Sequence, residues 1–474
     1  MLENVSLHPV DWVLVALYFV AMLYVGIWFY RRVNEFEDYL IAGRALTLPL
    51  LVGTLMASYY CGMFFFADAG FIYAEGIVAD VAYYPPYYFL LIVLTFFLIT
   101  RLRLLGELSL PDVLGRFYGK LTRFFGAIGS FLYCIPVMQL MAVGVVFHVV
   151  LGWPLWLGAL VGGGFAVFYT LLGGLWAVAF TDMMQFGLMF IGVVVALPIA
   201  LFSYGGWSNI LALNPEWHLE PLGGYLSWLI LGVYAASALT ILVEPVFYQR
   251  FFAARDHKTA VRAFMAMIIL WLFIDKVLVS LGLVAWAKYP GFIITQDQAV
   301  FTTVLSFLPV GVAGLFIAGA MAGIMSTVDS YTLVGAANLS YDIVQKIFKP
   351  DLSENRTLLL TRVMILFTFA LSYGLMFIFP RIMLVWLLQA AILISVALIP
   401  IMGAFLWPFK KTAMGGTFSA VAGLITTIAY IAAVFAFGEH VPGWDTIIWE
   451  VNIFGTTIHL WAEMVIYLTV PVSV

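Results

Sequence analysis

The chain has 474 residues, 64% of them hydrophobic and 10% charged, with a formal net charge of −4 and a mean hydropathy of +1.08. Soluble domains carry about 25% charged residues, so a soluble globular fold is excluded. The apolar runs are continuous and helix-length, which excludes an alternating β-barrel and predicts an all-α polytopic membrane protein without a sizeable soluble domain.

About 20 apolar residues cross a bilayer, and on that measure the chain predicts thirteen spans. The first covers about 11–30. It lacks a basic leader and is long enough to span, so no cleavable signal peptide is expected. A charged loop follows, and then five spans at about 45–74, 77–100, 121–151, 154–174 and 178–203. A polar loop with Trp and Pro comes next. Five more spans follow at about 225–249, 263–288, 308–340, 360–379 and 382–407, and the last two at about 414–437 and 453–472. Of 21 basic residues, all but Lys276, Lys288 and Arg381 fall in loops on one side. By the positive-inside rule that side is cytoplasmic and the N-terminus lies outside. The final run ends at Val474 without basic residues on its expected inner side, so the chain is expected to continue.

Two sets of five spans flank the polar loop. Because five is odd, the second set enters the membrane in the opposite sense, as in an inverted repeat with its site at the repeat interface. The expected layout is one transporter domain over 1–474. It has an extra helix and inner loop at 1–44, repeats at 45–203 and 225–407, and two closing helices at 408–474. The first helix of each repeat is expected to be broken. In the first half the break falls near Ser58 to Cys61, among Gly53, Gly62 and Gly70. In the second half it falls at Glu244-Pro245, where proline frees a carbonyl.

One stretch, AMAGIMSTVDSYTLVGAANLSYD (Ala320 to Asp342), sets polar groups into an apolar helix. Ser326, Asp329 and Ser330 are spaced i, i+3 and i+4, so they are expected on one face. Small residues around them permit close helix approach, and a carboxylate in a membrane segment marks a functional site. Cys61 and Cys134 imply neither a disulfide framework nor a zinc site. The six histidines, His8, His148, His218, His257, His440 and His459, are scattered singly. No metalloenzyme ligand cluster is expected, and no enzymatic activity.

Four motifs resemble the sodium/solute symporter family. They are GGLWAVAFTDMMQ (173–185), YQRFFAARDHKTAVRA (248–263), GIMSTVDS (323–330) and IMGAFLWPFKKTAMGG (401–416). Their order and spacing fit the family across nearly the whole chain. The resemblance implies a leucine-transporter-like fold of five plus five helices with sodium as the coupling ion. It implies a first sodium site from the carbonyls of Ala57, Tyr60 and Gly323 and the hydroxyls of Ser326 and Thr327. A possible second sodium would take Asp182, Ser326, Asp329 and Ser330. Asp329 departs from the hydroxyl usual in relatives. The solute is expected against Cys61, Phe64, Tyr83, Glu244 and Gln389, with Glu244 replacing an amide common in the family.

No Arg is evident inside the core, which argues against a strongly anionic solute. Lys276 is the one core base, either snorkelling, meeting a distant acid or touching solute; Asp68 and Asp80 remain without an assignment. The function implied is sodium-coupled import of a small polar organic solute (an amino acid, sugar, carboxylate or amine) across the plasma or bacterial inner membrane. The alternatives are a solute-sensing receptor of the same fold and a proton-coupled symporter. Expected partners are the solute, sodium ions and lipid, with no nucleic acid, and the functional unit is a monomer.

Overall fold

The computed structural model describes residues 7–30, 36–59, 64–222, 228–379, 382–406, 411–441, 446–453 and 456–474. Ten of its helices are long and apolar enough to cross a membrane. In chain order the principal elements begin with α1 (Pro9–Tyr30), α2 (Leu48–Tyr59) and α3 (Ala69–Glu75), the last entered through a π-helical turn, Phe64–Asp68. Next come α4 (Ala79–Leu105), α5 (Lys120–Tyr133), α6 (Val137–Leu151) and α7 (Leu155–Ser203). The second half holds α8 (Trp228–Ser237), α9 (Pro245–Ala253), α10 (His257–Lys288), α11 (Gln296–Leu305), α12 (Val312–Ala337) and α13 (Glu354–Leu375). It closes with α14 (Ile382–Leu406) and α15 (Ala413–Phe437).

The 49 residues of α7 are two limbs. Gly174 adopts φ 56° and ψ −154°, a region open essentially to glycine alone. A Cβ there would sit 2.6 Å from the Tyr39 carbonyl oxygen. The limbs are antiparallel, as their neighbours on α12 show. Along the first limb, Gly162 lies beside Met321 and Thr170 beside Asp329. Along the second, Leu188 lies beside Gly319 and Gly192 beside Phe316. These limbs correspond to the two spans expected at 154–174 and 178–203.

The second expected helix break has a structural counterpart; the first falls on 60–63, outside the described residues. α2 is described to Tyr59 and the π-helical turn from Phe64. In the second half α8 passes into a 3-10 turn, Ala238–Leu242, and α9 restarts at Pro245. Proline suits a first helical position because its missing N–H would have no partner there. Leu46 pairs with Ala254, while Thr54 and Ser58 meet Arg250. Rising numbers on α2 therefore meet falling numbers on α9. α2 and α9 are therefore antiparallel, as an inverted repeat requires.

α12 is the hub. It is buried without interruption from Phe316 to Ala337. α1 supplies its N-terminal cap: Asp11 Oδ1 accepts from the backbone N–H of Gly311 (2.7 Å) and Gly314 (2.8 Å). A carboxylate there satisfies orphan amides and complements the helix dipole.

The thirteenth expected span, 453–472, is not one continuous helix. After α15 the chain forms a three-stranded antiparallel sheet of β1 (Glu439–Val441), β2 (Thr446–Ile453) and β3 (Thr456–Trp461). A nine-residue helix, α16 (Val465–Ser473), follows. At 1.5 Å per residue it reaches about 13 Å, well short of the roughly 30 Å hydrocarbon core. Within the expected span, Thr456, Thr457 and Ile458 of β3 are β-branched, which favours strand.

Candidate functional site

The site lies where α12 crosses the end of α2. Ser326 Oγ donates to the carbonyl oxygens of Ala57 and Gly323, each at 2.8 Å. Thr327 Oγ1 lies 3.1 Å from the Ser58 carbonyl and 3.2 Å from that of Gly323. Both side chains are fully buried. The structure thus brings together four of the five residues expected at the first cation site; Tyr60 lies outside the described residues. The Ser58 carbonyl joins them. It was missed because a backbone oxygen carries no residue-type signal. Neutral oxygens at this spacing suit a hard monovalent cation held reversibly.

One turn further along α12, the four residues expected at a second cation site do not form one cluster. Asp182, on the second limb of α7, accepts from the Thr54 hydroxyl and from Ser58 Oγ at 3.3 Å. Ser330 Oγ lies 2.8 Å from Ser58 Oγ. Arg250 fills the space between them. Its guanidinium reaches Thr54 (3.1 Å), Ser58 (2.9 Å), Ser330, Gln249 and, at 3.5 Å, Asp182. It is fully buried. This corrects the expectation that the core holds no arginine: hydropathy and loop position assign Arg250 to the inner loop, but α9 runs on to Ala253 and carries it inward.

Asp329 is set apart. It accepts from Tyr169 Oη and from Thr170 Oγ1 (2.6 Å), both on the first limb of α7. Helical rotation explains the split. Successive residues turn by about 100°, so Ser326 and Ser330 address α2 while Asp329 addresses α7. Spacing of i+3 made the face look shared, but only the position of α7 decides where each side chain goes. Gln185, in the same motif as Asp182, donates to Tyr18 Oη at 2.9 Å and so ties α1 to this core.

The residues expected to bind solute are divided. Cys61 lies outside the described residues, as does the side chain of Phe64. Glu244 accepts from Tyr133 Oη and from the Val246 N–H at 3.3 Å. Tyr133 also meets Tyr331 Oη at 3.4 Å and packs on Trp386 at 5.9 Å between ring centroids. Gln389 donates to the carbonyls of Leu132 (3.1 Å) and Ile135 (2.7 Å), where α5 gives way to α6. Glu244 and Gln389 therefore both meet the Tyr133 segment. Tyr83 stands in a separate tyrosine cluster, 5.1 Å from the ring of Tyr87, whose hydroxyl lies 2.7 Å from Ser237 Oγ at the second break. Lys276 meets a distant acid, Asp80, while its neighbour Asp275 accepts from Tyr88 Oη.

The family model of the sodium:solute symporter family matches residues 39–425. The chain belongs to that family. With its apolar helices this makes it an integral membrane protein. It is 26% identical over 412 residues to sodium/glucose cotransporter 4 of Danio rerio, covering 77% of this chain and 62% of that protein. It is 25% identical over 375 residues to the high-affinity proline transporter PutP of Bacillus subtilis (strain 168), covering 73% and 76%. The chain thus spans about three fifths of the length of the fish relative. Among solved structures it is similar to a Na+-coupled sialic acid symporter in a substrate-bound outward-open state, at TM-score 0.75 and 18% identity over 90% of this chain and 92% of that one. The likeness establishes a shared fold. The symporters among these relatives work on chemically unlike solutes, so family membership leaves the solute of this chain open.

Proposed function

We propose that the chain is a sodium-coupled symporter that imports a small polar organic solute by alternating access. The observation that carries this reading is the convergence of the Ser326 and Thr327 hydroxyls on the carbonyls of Ala57, Ser58 and Gly323, in a chain of this family. Sodium would be held by Ala57, Tyr60, Gly323, Ser326 and Thr327. With the ion bound, the hydroxyls turn their protons away and α12 is braced against the end of α2, which favours the outward-open state. Solute binds near the two helix breaks, among Cys61, Phe64, Tyr83, Glu244 and Gln389. Closure over the solute then rocks the helices, and low internal sodium releases both.

One sodium ion per cycle is the stoichiometry this geometry favours. The guanidinium of Arg250 already supplies a positive charge among Asp182, Ser58 and Ser330, and a sodium ion there would have to displace it. The side-alternation of basic residues supports an outside N-terminus. A monomer in the plasma or bacterial inner membrane is the proposed working form. Each net charge carried inward across 100 mV gains about 2.3 kcal/mol.

The test is uptake into proteoliposomes. An inward sodium gradient should accumulate solute above equilibrium, and collapsing the gradient should release it. Equilibration without accumulation would indicate a channel. Sodium-linked binding without uptake would indicate a receptor.

A further inference from the structure

The segment 36–46 crosses the end of the core where the basic residues gather, which by the positive-inside rule is the inner face. It comprises a short helix, Phe36–Ile41, a turn, Ala42–Arg44, and Leu46, which pairs with Ala254. Its first part grips one set of helices. The Phe36 ring stacks on Tyr341 at 5.3 Å, and Tyr39 Oη donates to the Thr170 carbonyl of α7 at 3.3 Å. Arg362 of α13 lies over the Tyr39 ring at 5.7 Å. Its last part grips α9 and the residues just after it. Gln249 Nε2 donates to the Leu40 carbonyl (2.8 Å), the Leu46 N–H to the Ala253 carbonyl (3.0 Å) and the Arg255 N–H to the Leu46 carbonyl (3.2 Å). Leu40, Leu46 and Ala254 are buried. Leu40, Pro245, Gln249 and Asn338 line a cleft of about 10 Å³, the lower limit for one water. No solute passes there from the second helix break to the inner face. The turn itself is strained. Ala42 and Arg44 have φ 50° and 55°, a left-handed region that residues with a Cβ enter at a cost. Among the described residues they are the only non-glycine residues with positive φ. Arg44 is held there by Glu37 and the Gly106 carbonyl, each at 2.7 Å.

We propose that 36–46 is a strained latch on the inner mouth: in place it holds that side shut, and inward release requires α9 to part from Leu40 and Leu46. This rests on the symporter reading above. The side toward α7 and α13 is anchored by two aromatic rings and a guanidinium, and stays. The side toward α9 is held by three hydrogen bonds to main-chain carbonyls, which part together. Once they part, Ala42 and Arg44 return to ordinary backbone conformations, and the relief of strain offsets part of the bonds lost. Two states of similar free energy are what a gate needs. Placement also explains coupling. α2 begins at Leu48, two residues after Leu46. Sodium that braces α2 against α12 therefore also keeps Leu46 on α9.

The full chain in nanodiscs is given one added thiol, Leu46→Cys or Ala254→Cys, and exposed to a maleimide in sodium and in potassium. The parent, whose cysteines are Cys61 and Cys134, gives the background. Both added thiols are buried while the latch is closed, so labelling reads the open fraction. Labelling is expected to be slower in sodium by about tenfold. Ala42→Gly adopts the left-handed turn without a steric cost and should slow labelling in potassium by about fivefold. Ala42→Pro, whose ring fixes φ at about −65°, should speed labelling in both salts to a common rate. A cooperative melt shows that each variant is folded. The proposal is overturned if sodium raises the melting temperature but changes the labelling of neither thiol. It is also overturned if Ala42→Gly and Ala42→Pro both label as their background does. If sodium changes neither melting temperature nor labelling, while the two Ala42 variants shift labelling in opposite directions, the sodium reading fails and the latch stands.

Discussion

Arg250 and Asp182 face each other 3.5 Å apart with neither side chain exposed. They join α9, the second limb of α7 and, through Thr54, Ser58 and Ser330, both α2 and α12. The core of the fold is therefore pinned by a fixed cation one turn from the proposed mobile one. The pair lies between α2 and α9, so any movement of one against the other must carry or break it.

Removing one partner of a buried ion pair leaves the other uncompensated, at about 3–5 kcal/mol. Arg250→Ala and Asp182→Asn should each lower the melting temperature sharply. The double variant should be less damaged than the sum of the two, because the coupling has already been lost. Arg250→Lys should not restore the parent, since an ammonium group cannot span Thr54, Ser58, Ser330 and Asp182 as the planar fork does. Additive losses in the double variant would refute the pairing.

Ser326→Ala and Thr327→Ala remove hydroxyl oxygens from the proposed sodium site. Each should raise the sodium concentration for half-maximal uptake by about tenfold or more, equivalent to about 1.4 kcal/mol. Thr327→Val, close to isosteric, separates loss of the oxygen from loss of packing. Uptake measured against sodium concentration decides this, and unchanged curves in all three variants would remove the site. The parent curve should fit one ion per cycle.

Asp329→Asn tests a different role. Asp329 bonds Tyr169 and Thr170 on the first limb of α7, away from the Ser326 oxygens. The substitution should cost about 1–3 kcal/mol of stability through a weakened buried acceptor and leave the sodium dependence near that of the parent. Thr170→Val combined with it should be less than additive. A changed reversal potential in Asp329→Asn, at unchanged stability, would return Asp329 to the cation path.

His218, outside the spans, gives a pH signature. It is buried between Trp217 and Trp286, each at 4.4 Å, and bonds Asn214 through Nδ1 at 2.8 Å. Burial disfavours its charged form and holds its pKa down at about 4, against 6.5 for the free side chain. Between those values the unfolded chain binds the proton and the folded chain does not, so stability falls as pH falls from about 6.5 to about 4. The loss approaches roughly 3 kcal/mol at the lower end. His218→Asn should flatten the melting temperature across this window, whatever its effect at neutral pH. An equally steep profile would show that another group is responsible.

Much of this protein is legible in its residues alone. The spans at 154–174 and 178–203, the Pro245 break and the oxygen set at Ser326 and Thr327 all follow from local chemistry. Apolar length, proline's missing donor and the spacing of hydroxyls each act within a few residues, and the same rules produced the helices observed. Tertiary structure alone decided three things. It turned Asp329 to α7 and Ser330 to α2, because a helix distributes neighbours by rotation and only packing says what each direction meets. It drew Arg250, assigned to a loop by its charge, into the core, because Asp182 and three hydroxyls from other helices compensate it there. It folded 456–461, the start of the span expected at 453–472, into a strand paired with 446–453, because the ladder partner rather than mean hydropathy decides it. In each case the deciding partner lies tens to hundreds of residues away or on another strand.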